Sequence, residues 1–508
     1  MGLKSGKGCW TCKARKIGCD KSLPACDNCA RTGRSCSGYG AKLSWPREHN
    51  RRATYAQVVS KNPHPRRNSA WPEYFEFLNT GYGDLILHQQ RNHPCDFESG
   101  TVSLITPPGP KYNFPSLYQV SGDGTDASLL SYYEAVLARM ITTIDNEANG
   151  FRHELLPMAL TNPSLFSTTA LRHAIMALAA YHLHGPESAV KHRMKAVRAL
   201  GIALTENAAE HDLSARITQL AASMMLCVYG VFDTTEGKWQ VHLDGARRIA
   251  ALLPHDTSST AGLSVMRFLG SWFLYHDVLS SFSAPNDEVD QARTPLMISL
   301  DDDDDSKRVI VGSLGCSVEL MEIISSINQY SVSRSHISSK NSHLFENASR
   351  TILRLQTLRQ LLPSNLQSSN PSTSPTRVLR TAELYRLGAL IYIHRAVLDT
   401  PRQSAIFQDL ISQSLEVLGA LRICTSPWPL FLIASEVGHD DVRRVAILGI
   451  LETMEQERRI GNIGYVRRIV EAVWKLEDLS IDEGDESRRV DWRMVVAGGK
   501  DFGLPSFI

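Results

Sequence analysis

The chain has 508 residues, too many for one ordinary core, and 43% hydrophobic with 21% charged residues reads as soluble and folded rather than disordered. Its net charge of +1 hides an asymmetry: residues 1–67 hold 15 Lys+Arg and 3 Asp+Glu, while the other 441 hold 39 and 50, a basic polyanion-binding head on a mildly acidic body. The start, Met1-Gly2-Leu3-Lys4-Ser5-Gly6-Lys7, lacks the apolar stretch of a secretory signal, and the longest nearly apolar run, 220–232, is 13 residues, short of the roughly 18 a membrane span needs, so no membrane is expected.

Six of the ten cysteines lie within the 28 residues 9–36, spaced C-x2-C-x6-C-x6-C-x2-C-x6-C: Cys9, Cys12, Cys19, Cys26, Cys29 and Cys36. Cys95, Cys227, Cys316 and Cys424 are scattered, and Cys227 and Cys316 sit in apolar helical stretches that suit small core residues. Without a secretion signal, clustered cysteines point to metal ligands rather than disulfides. A C-x2-C pair closes two thiolates on one metal from a single helical turn. Zinc takes four ligands in a tetrahedron, so six thiolates complete two sites only if two sulfurs serve both metals. The near-equal halves 9–19 and 26–36 fit that solution. One four-cysteine site with two spare thiols is the alternative.

The stretch CWTCKARKIGCDKSLPACDNCARTGRSCSGYG, residues 9–40, resembles the fungal binuclear zinc cluster regulators in all six cysteines, the basic run Lys13-Ala14-Arg15-Lys16, Asp20 and Pro24. The resemblance implies two zinc ions per chain, bridged by Cys9 and Cys26, with Cys12 and Cys19 completing one and Cys29 and Cys36 the other. It implies a short first helix in the major groove of double-stranded DNA, at a CGG-like half-site. Lys16 then takes the guanine-contacting position, since Lys or Arg to guanine O6 and N7 is the commonest base contact. Lys13, Arg15, Arg31 and Arg34 are the expected phosphate contacts, or part of a solvated basic face. Lys42, Arg47, Arg51 and Arg52 extend the basic track, for DNA, for nuclear import or for solubility alone. Many members carry a further basic residue just before the third cysteine; here Gly18 stands in its place.

Further along, 1–46 is read as the zinc cluster domain with its tail and 47–125 as a linker, partly disordered, with a short helix near 70–87. Its prolines, Pro46, Pro63, Pro65 and Pro72 among them, interrupt any heptad pattern, so no coiled coil is expected there. Residues 126–480 read as one large all-α body, interrupted by a polar insert at 364–376. Leu129, Tyr132, Tyr133, Val136, Leu137, Met140 and Ile144 mark one face of a helix over 127–144; Leu171, Ile175, Leu178 and His182 mark the next; Ile217, Leu220, Met224, Val228 and Val231 a third. Further helices are expected over 265–282, 318–327, 344–362, 378–398, 406–421, 442–457 and 465–476. The acidic run 301–305 reads as a solvated loop, and 481–508 as a tail packed on or near the body. Trp239, Trp272, Trp428 and Trp474 are expected core anchors, Gly245 a close packing point and Pro429 a helix-end residue.

The stretches HELLPMALTNPSLFSTTALRHAIMALAAYHL, KWQVHLDGARRIAALL, VGSLGCSVELMEII, ELYRLGALIYIHRAV and SPWPLFLIASEV, in that order, resemble the helical regulatory domain of one branch of the same family, which includes acriflavine-sensitivity regulators. The fold class expected is therefore mainly α: a small two-zinc cluster, a linker and a large helical regulatory domain. The expected function is sequence-specific regulation of RNA polymerase II transcription in the nucleus. The implied partners are DNA, transcription machinery or co-regulators, and a second copy through the helical domain. Two rivals stand beside this reading. One is a zinc-dependent adaptor whose basic head binds an acidic protein. The other is a helical enzyme; against it, His182 and His184 point to different helix faces, His192 is not placed to join them, and no nucleophile elbow, phosphate loop or H-E-x-x-H occurs. A body pocket with convergent titratable groups rather than apolar walls would favour the enzyme.

Overall fold

The computed structural model describes residues 8–22, 25–38, 124–205, 213–234, 239–253, 263–283, 304–336, 342–364, 366, 374–421, 423–482, 490–498 and 505–507. They belong to two units, Met1–Asn79 and Thr80–Ile508. The helix expected near 70–87, the linker up to 123, Lys42 and Cys95 lie outside the described residues.

The first unit contains α1 (Trp10–Ala14) and α2 (Asp27–Arg31), each five residues long. Helices this short do not persist on their own. Their buried residues are cysteines, Cys12 in α1 and Cys29 in α2, so side-chain chemistry rather than apolar packing holds them.

The second unit is mainly α. Its described residues begin with α3 (Gly124–Tyr132), a π-helical stretch over Tyr133–Leu137 and α4 (Ala138–Met140). The helix expected over 127–144 thus stops at Met140, where a tertiary bond takes over: Thr143 N–H donates to the Gly312 carbonyl at 2.9 Å, beside a local bond from Thr142 Oγ1 to the Ile144 carbonyl at 3.0 Å. After α5 (Gly150–His153) and α6 (Leu155–Leu160) come α7 (Phe166–His184) and α8 (Pro186–Thr205), joined at Gly185, whose φ of 91° suits glycine. Ala170, Ala174, Ala177 and Ala180 of α7, with Ala189, Ala196 and Ala203 of α8, are buried, and such small side chains let helices approach closely.

The apolar run at 220–232 belongs to a longer helix, α9 (Leu213–Phe232), which is long and apolar enough to cross a membrane by composition. Of its most apolar window, 78% is buried inside the body, as befits a central core helix. Its polar groups are met internally: Gln219 Nε2 donates to the Ala203 carbonyl at 2.9 Å, and Ser223 Oγ to that of His242 at 2.7 Å. The latter is on α10 (Trp239–Ala250), where a Cβ on Gly245 would stand 3.2 Å from Ser223 Oγ.

Beyond α11 (Leu263–Ser283), Asp304 and Asp305, the described part of the loop expected over 301–305, instead open a short helix, α12 (Asp304–Lys307). Acids suit a helix start, and Asp305 faces Arg308 at 3.6 Å. A hairpin absent from the sequence reading follows: β1 (Ile310–Val311) pairs antiparallel with β2 (Cys316–Ser317), Ile310 opposite Ser317. Then come α13 (Val318–His336), α14 (Ser342–Thr357), α15 (Pro375–Ala396), α16 (Ala405–Gly419), α17 (Pro427–Glu436), α18 (Asp441–Arg458), α19 (Gly461–Asp482) and α20 (Trp492–Gly498). Pro375 starts α15 inside the expected polar insert, and Pro427 starts α17, positions where a missing N–H costs nothing. Pro429 packs on Gly388, where a Cβ would come within 2.9 Å. Trp239, Trp272, Trp428 and Trp474 are all buried. Phe282, Trp428, Phe431, Trp492 and Phe507 form an aromatic cluster, with Phe431 and Phe507 centroids 4.3 Å apart.

Candidate metal centre and nucleic-acid interface

Each half of the cysteine frame is built the same way. Cys9 is the N-cap of α1 and its sulfur accepts from Cys12 N–H at 3.3 Å; Cys26 is the N-cap of α2 and accepts from Cys29 N–H at 3.4 Å. A helix N-terminus favours an anionic sulfur. The sulfurs fall into two groups of four, Cys9, Cys12, Cys19 and Cys26, and Cys9, Cys26, Cys29 and Cys36, each within 4.8 Å of one another. Cys9 and Cys26 are common to both. Their sulfurs lie 3.5 Å apart, with Cys9–Cys29 at 3.8 Å and Cys12–Cys26 at 3.7 Å. Ligands about 2.3 Å from a tetrahedral zinc stand about 3.8 Å from each other, so the donor set fits that ion twice. A single four-cysteine site with two spare thiols does not match this grouping.

Metal binding has to draw protons from thiols of unlike affinity. Burial pushes the Cys12 and Cys26 thiols up, whereas the Cys9 amide, 3.4 Å from the Cys19 sulfur, draws that thiol down to about 7, and the Cys26 amide draws Cys36 down. Once deprotonated, six sulfurs this close are stabilised by metal charge, and metal binding releases their protons. Asp20 ties the halves together. Its carboxylate accepts from the amides of Asp27 at 2.9 Å, Asn28 at 3.1 Å and Ser22 at 3.3 Å, and the first of these bonds chiefly holds it well below the usual carboxylate range. The sequence reading used Asp20 only as a matching position; its caps on α2 were missed, although an acid preceding a helix start is a recognisable signal.

Lys13, Arg15, Lys16, Arg31 and Arg34 are all exposed. Lys13 and Arg15 flank the end of α1, where Arg15 is the C-cap and the Lys13 ammonium lies 4.4 Å from the Trp10 ring centroid. Lys16 follows with a left-handed φ of 55°, its N–H donating to the Lys13 carbonyl at 3.1 Å. This turn projects a charged side chain from the end of the helix. Arg31 closes α2, and its Nη2 donates to Asn28 Oδ1 at 2.9 Å; Arg34 lies beyond the turn at Gly33. Gly18 is exposed and a Cβ there would meet nothing within 4 Å.

In the body, the histidines are placed by other partners. His182 meets the Tyr132 hydroxyl at 2.8 Å and the Arg458 carbonyl at 2.9 Å, and His184 is exposed. His192 instead meets His173, Nδ1 to Nδ1 at 3.1 Å, a pairing missed in the sequence because it needs α7 laid against α8. Burial, then His192, holds His173 down at about 4.

Residues 7–46 match the fungal Zn(2)-Cys(6) binuclear cluster domain, and residues 128–504 match the fungal specific transcription factor domain. Transcription factor iacI of Pestalotiopsis fici is 24% identical over 401 residues, 76% of this chain and 97% of that protein. Pestheic acid cluster transcriptional regulator 3 of the same fungus is 20% identical over 94% of this chain and 96% of its own length. Acriflavine sensitivity control protein acr-2 of Neurospora crassa is 49% identical over 39 residues, 8% of this chain and 7% of that protein. No solved structure matches significantly. With a cluster domain that takes two zinc ions ahead of a helical domain matched over more than half the chain, this protein belongs to the fungal Zn(2)-Cys(6) transcription factors and is a DNA-binding transcription regulator.

Proposed function

We propose that Cys9 and Cys26 bridge the two zincs, that Cys12 and Cys19 complete one and Cys29 and Cys36 the other, and that the metals hold α1 in the major groove at a CGG-like half-site. The observation that carries this is the pair of four-sulfur groups sharing Cys9 and Cys26, beside an exposed Lys16 at the end of α1. Lys16 reads guanine; Lys13, Arg15, Arg31, Arg34 and Lys42 meet phosphates. The protein acts in the nucleus on RNA polymerase II transcription and is not an enzyme. Its organisation is a cluster domain over 1–46, a linker over 47–125, a regulatory body over 126–480, and a C-terminal segment over 481–508, in which Trp492 and Phe507 are buried. The body receives transcription machinery or co-regulators and any second copy, because side chains such as Met194 and Leu204 of α8 leave apolar surface exposed. A salt titration on a G·C-rich duplex tests the reading. Affinity should fall with a log–log slope of about 0.9 per phosphate contact. Tight binding to an acidic protein with none to DNA would replace it by the adaptor.

A further inference from the structure

The helical body holds a partly open cavity of about 80 Å³. Phe151, Val228, Phe232 and Trp272 form its apolar wall, and the hairpin loop at Gly312–Gly315 closes one side. Its polar groups include Tyr275, His276, Tyr385, Thr425 and Arg458, and no carboxylate among the described residues lines it.

Arg458 is buried, and its fixed partners are two carbonyls: Nη1 donates to Thr425 at 3.1 Å and Nη2 to Met140 at 3.0 Å. No carboxylate among the described residues pairs with it. Burial lowers its affinity for the proton, a sign of a cation held in a dry place. A buried cation without a counter-charge is costly, as is a buried polar atom without a partner. Two of the residues that line the cavity carry one of the latter. Thr425 Oγ1 has no hydrogen-bond partner. His276 is 3% exposed, and its Nδ1 lies 3.0 Å from the Trp272 carbonyl, an acceptor, so Nδ1 carries the proton and Nε2 the lone pair. That Nε2 is buried and unpartnered. Tyr275 and Tyr385 share a hydrogen bond at 3.0 Å between their hydroxyls.

We propose that this cavity binds a small hydroxycarboxylate, its carboxylate on the Arg458 guanidinium and its hydroxyl donating to His276 Nε2. The cation calls for an anion, the bare acceptor for an O–H, and the aromatic wall for a short carbon skeleton. At about 80 Å³ and partly open, the cavity suits a short carbon skeleton rather than a bulky one. Catalysis does not follow from these groups: the histidine faces no nucleophile, and its other nitrogen is spent on a backbone carbonyl. The proposal does not rest on DNA recognition, and its test contains no DNA.

The test is calorimetric titration of the full-length, zinc-loaded protein with lactate, propionate and lactamide. Lactate should bind saturably, propionate about fivefold more weakly for want of the hydroxyl, and lactamide about tenfold more weakly for want of the charge. Arg458→Met should abolish lactate binding. Because that change also removes two structural hydrogen bonds, His276→Phe gives the second arm: it keeps an aromatic ring in the site, should retain propionate binding, and should erase the preference for lactate. Absence of saturable lactate binding, equal binding of lactamide, or a lactate preference that survives His276→Phe would each overturn the proposal.

Discussion

Replacing Lys16 by glycine should separate the two tasks of that residue. Lys16 stands seven residues after Cys9 with φ 55°, and Gly33 stands seven after Cys26 with φ 60°, so the two halves make the same left-handed turn and only the second uses the residue suited to it. A side chain in that conformation costs about 1–2 kcal/mol. Glycine removes this cost but gives back about 0.5–1 kcal/mol through the freedom of the unfolded chain. Lys16→Gly should therefore hold the cluster together as well as the parent or better, by up to about 1.5 kcal/mol. The same change removes the side chain proposed to read guanine, a loss of about 1–3 kcal/mol on the target site. Chelator titration of the full-length protein, with zinc release as the readout, measures the first effect, because zinc binding and folding of such a domain are linked. Binding to G·C-rich and scrambled duplexes measures the second. Lys16→Ala should show the loss of readout without the conformational relief. Earlier zinc release from Lys16→Gly would refute the argument from backbone conformation, and equal losses on both duplexes would refute the assignment to a base.

Gly18→Lys meets no steric obstacle and should steepen the salt dependence of DNA binding by about one phosphate contact, with cluster stability changed by no more than about 0.5 kcal/mol; an unchanged slope would show that position 18 faces away from DNA. Metal analysis should give two zincs per chain, and chelation should expose the six clustered cysteines to alkylation while Cys227, Cys316 and Cys424, buried in the body, stay protected; two clustered thiols reacting in the zinc-loaded protein would disprove the bridged arrangement. A fragment of residues 1–95 should sediment as a monomer and bind one half-site, and a micromolar dimer would show that the linker pairs after all. Stability of the body should fall as pH drops from about 6.5 to about 4: burial holds His276 at about 4, so in that window the unfolded chain takes up a proton that the folded one refuses. The effect is about 3 kcal/mol for this residue, and His276→Phe should flatten the denaturation midpoint across that range.

The cysteine frame was legible from sequence because its chemistry is local: C-x2-C pairs sit on single helical turns, and the number of sulfurs limits how zinc can be shared. The long helices were legible for a similar reason, since α9 and α15 carry their burial pattern within their own residues. What the sequence did not show depends on residues far apart in the chain. The break after α4 needs Gly312 to accept from Thr143, and the hairpin carrying Gly312 is too short to leave an alternating pattern. His173 and His192 meet only once α7 lies against α8. Arg458, unremarkable at the end of a polar helix, becomes a buried cation because it reaches Met140, 318 residues away. Spacing determined that six sulfurs could serve two metals only by sharing two of them, and which faces would be apolar; packing alone decided which polar groups were taken out of water together, because desolvation depends on every neighbour a group acquires in the folded chain.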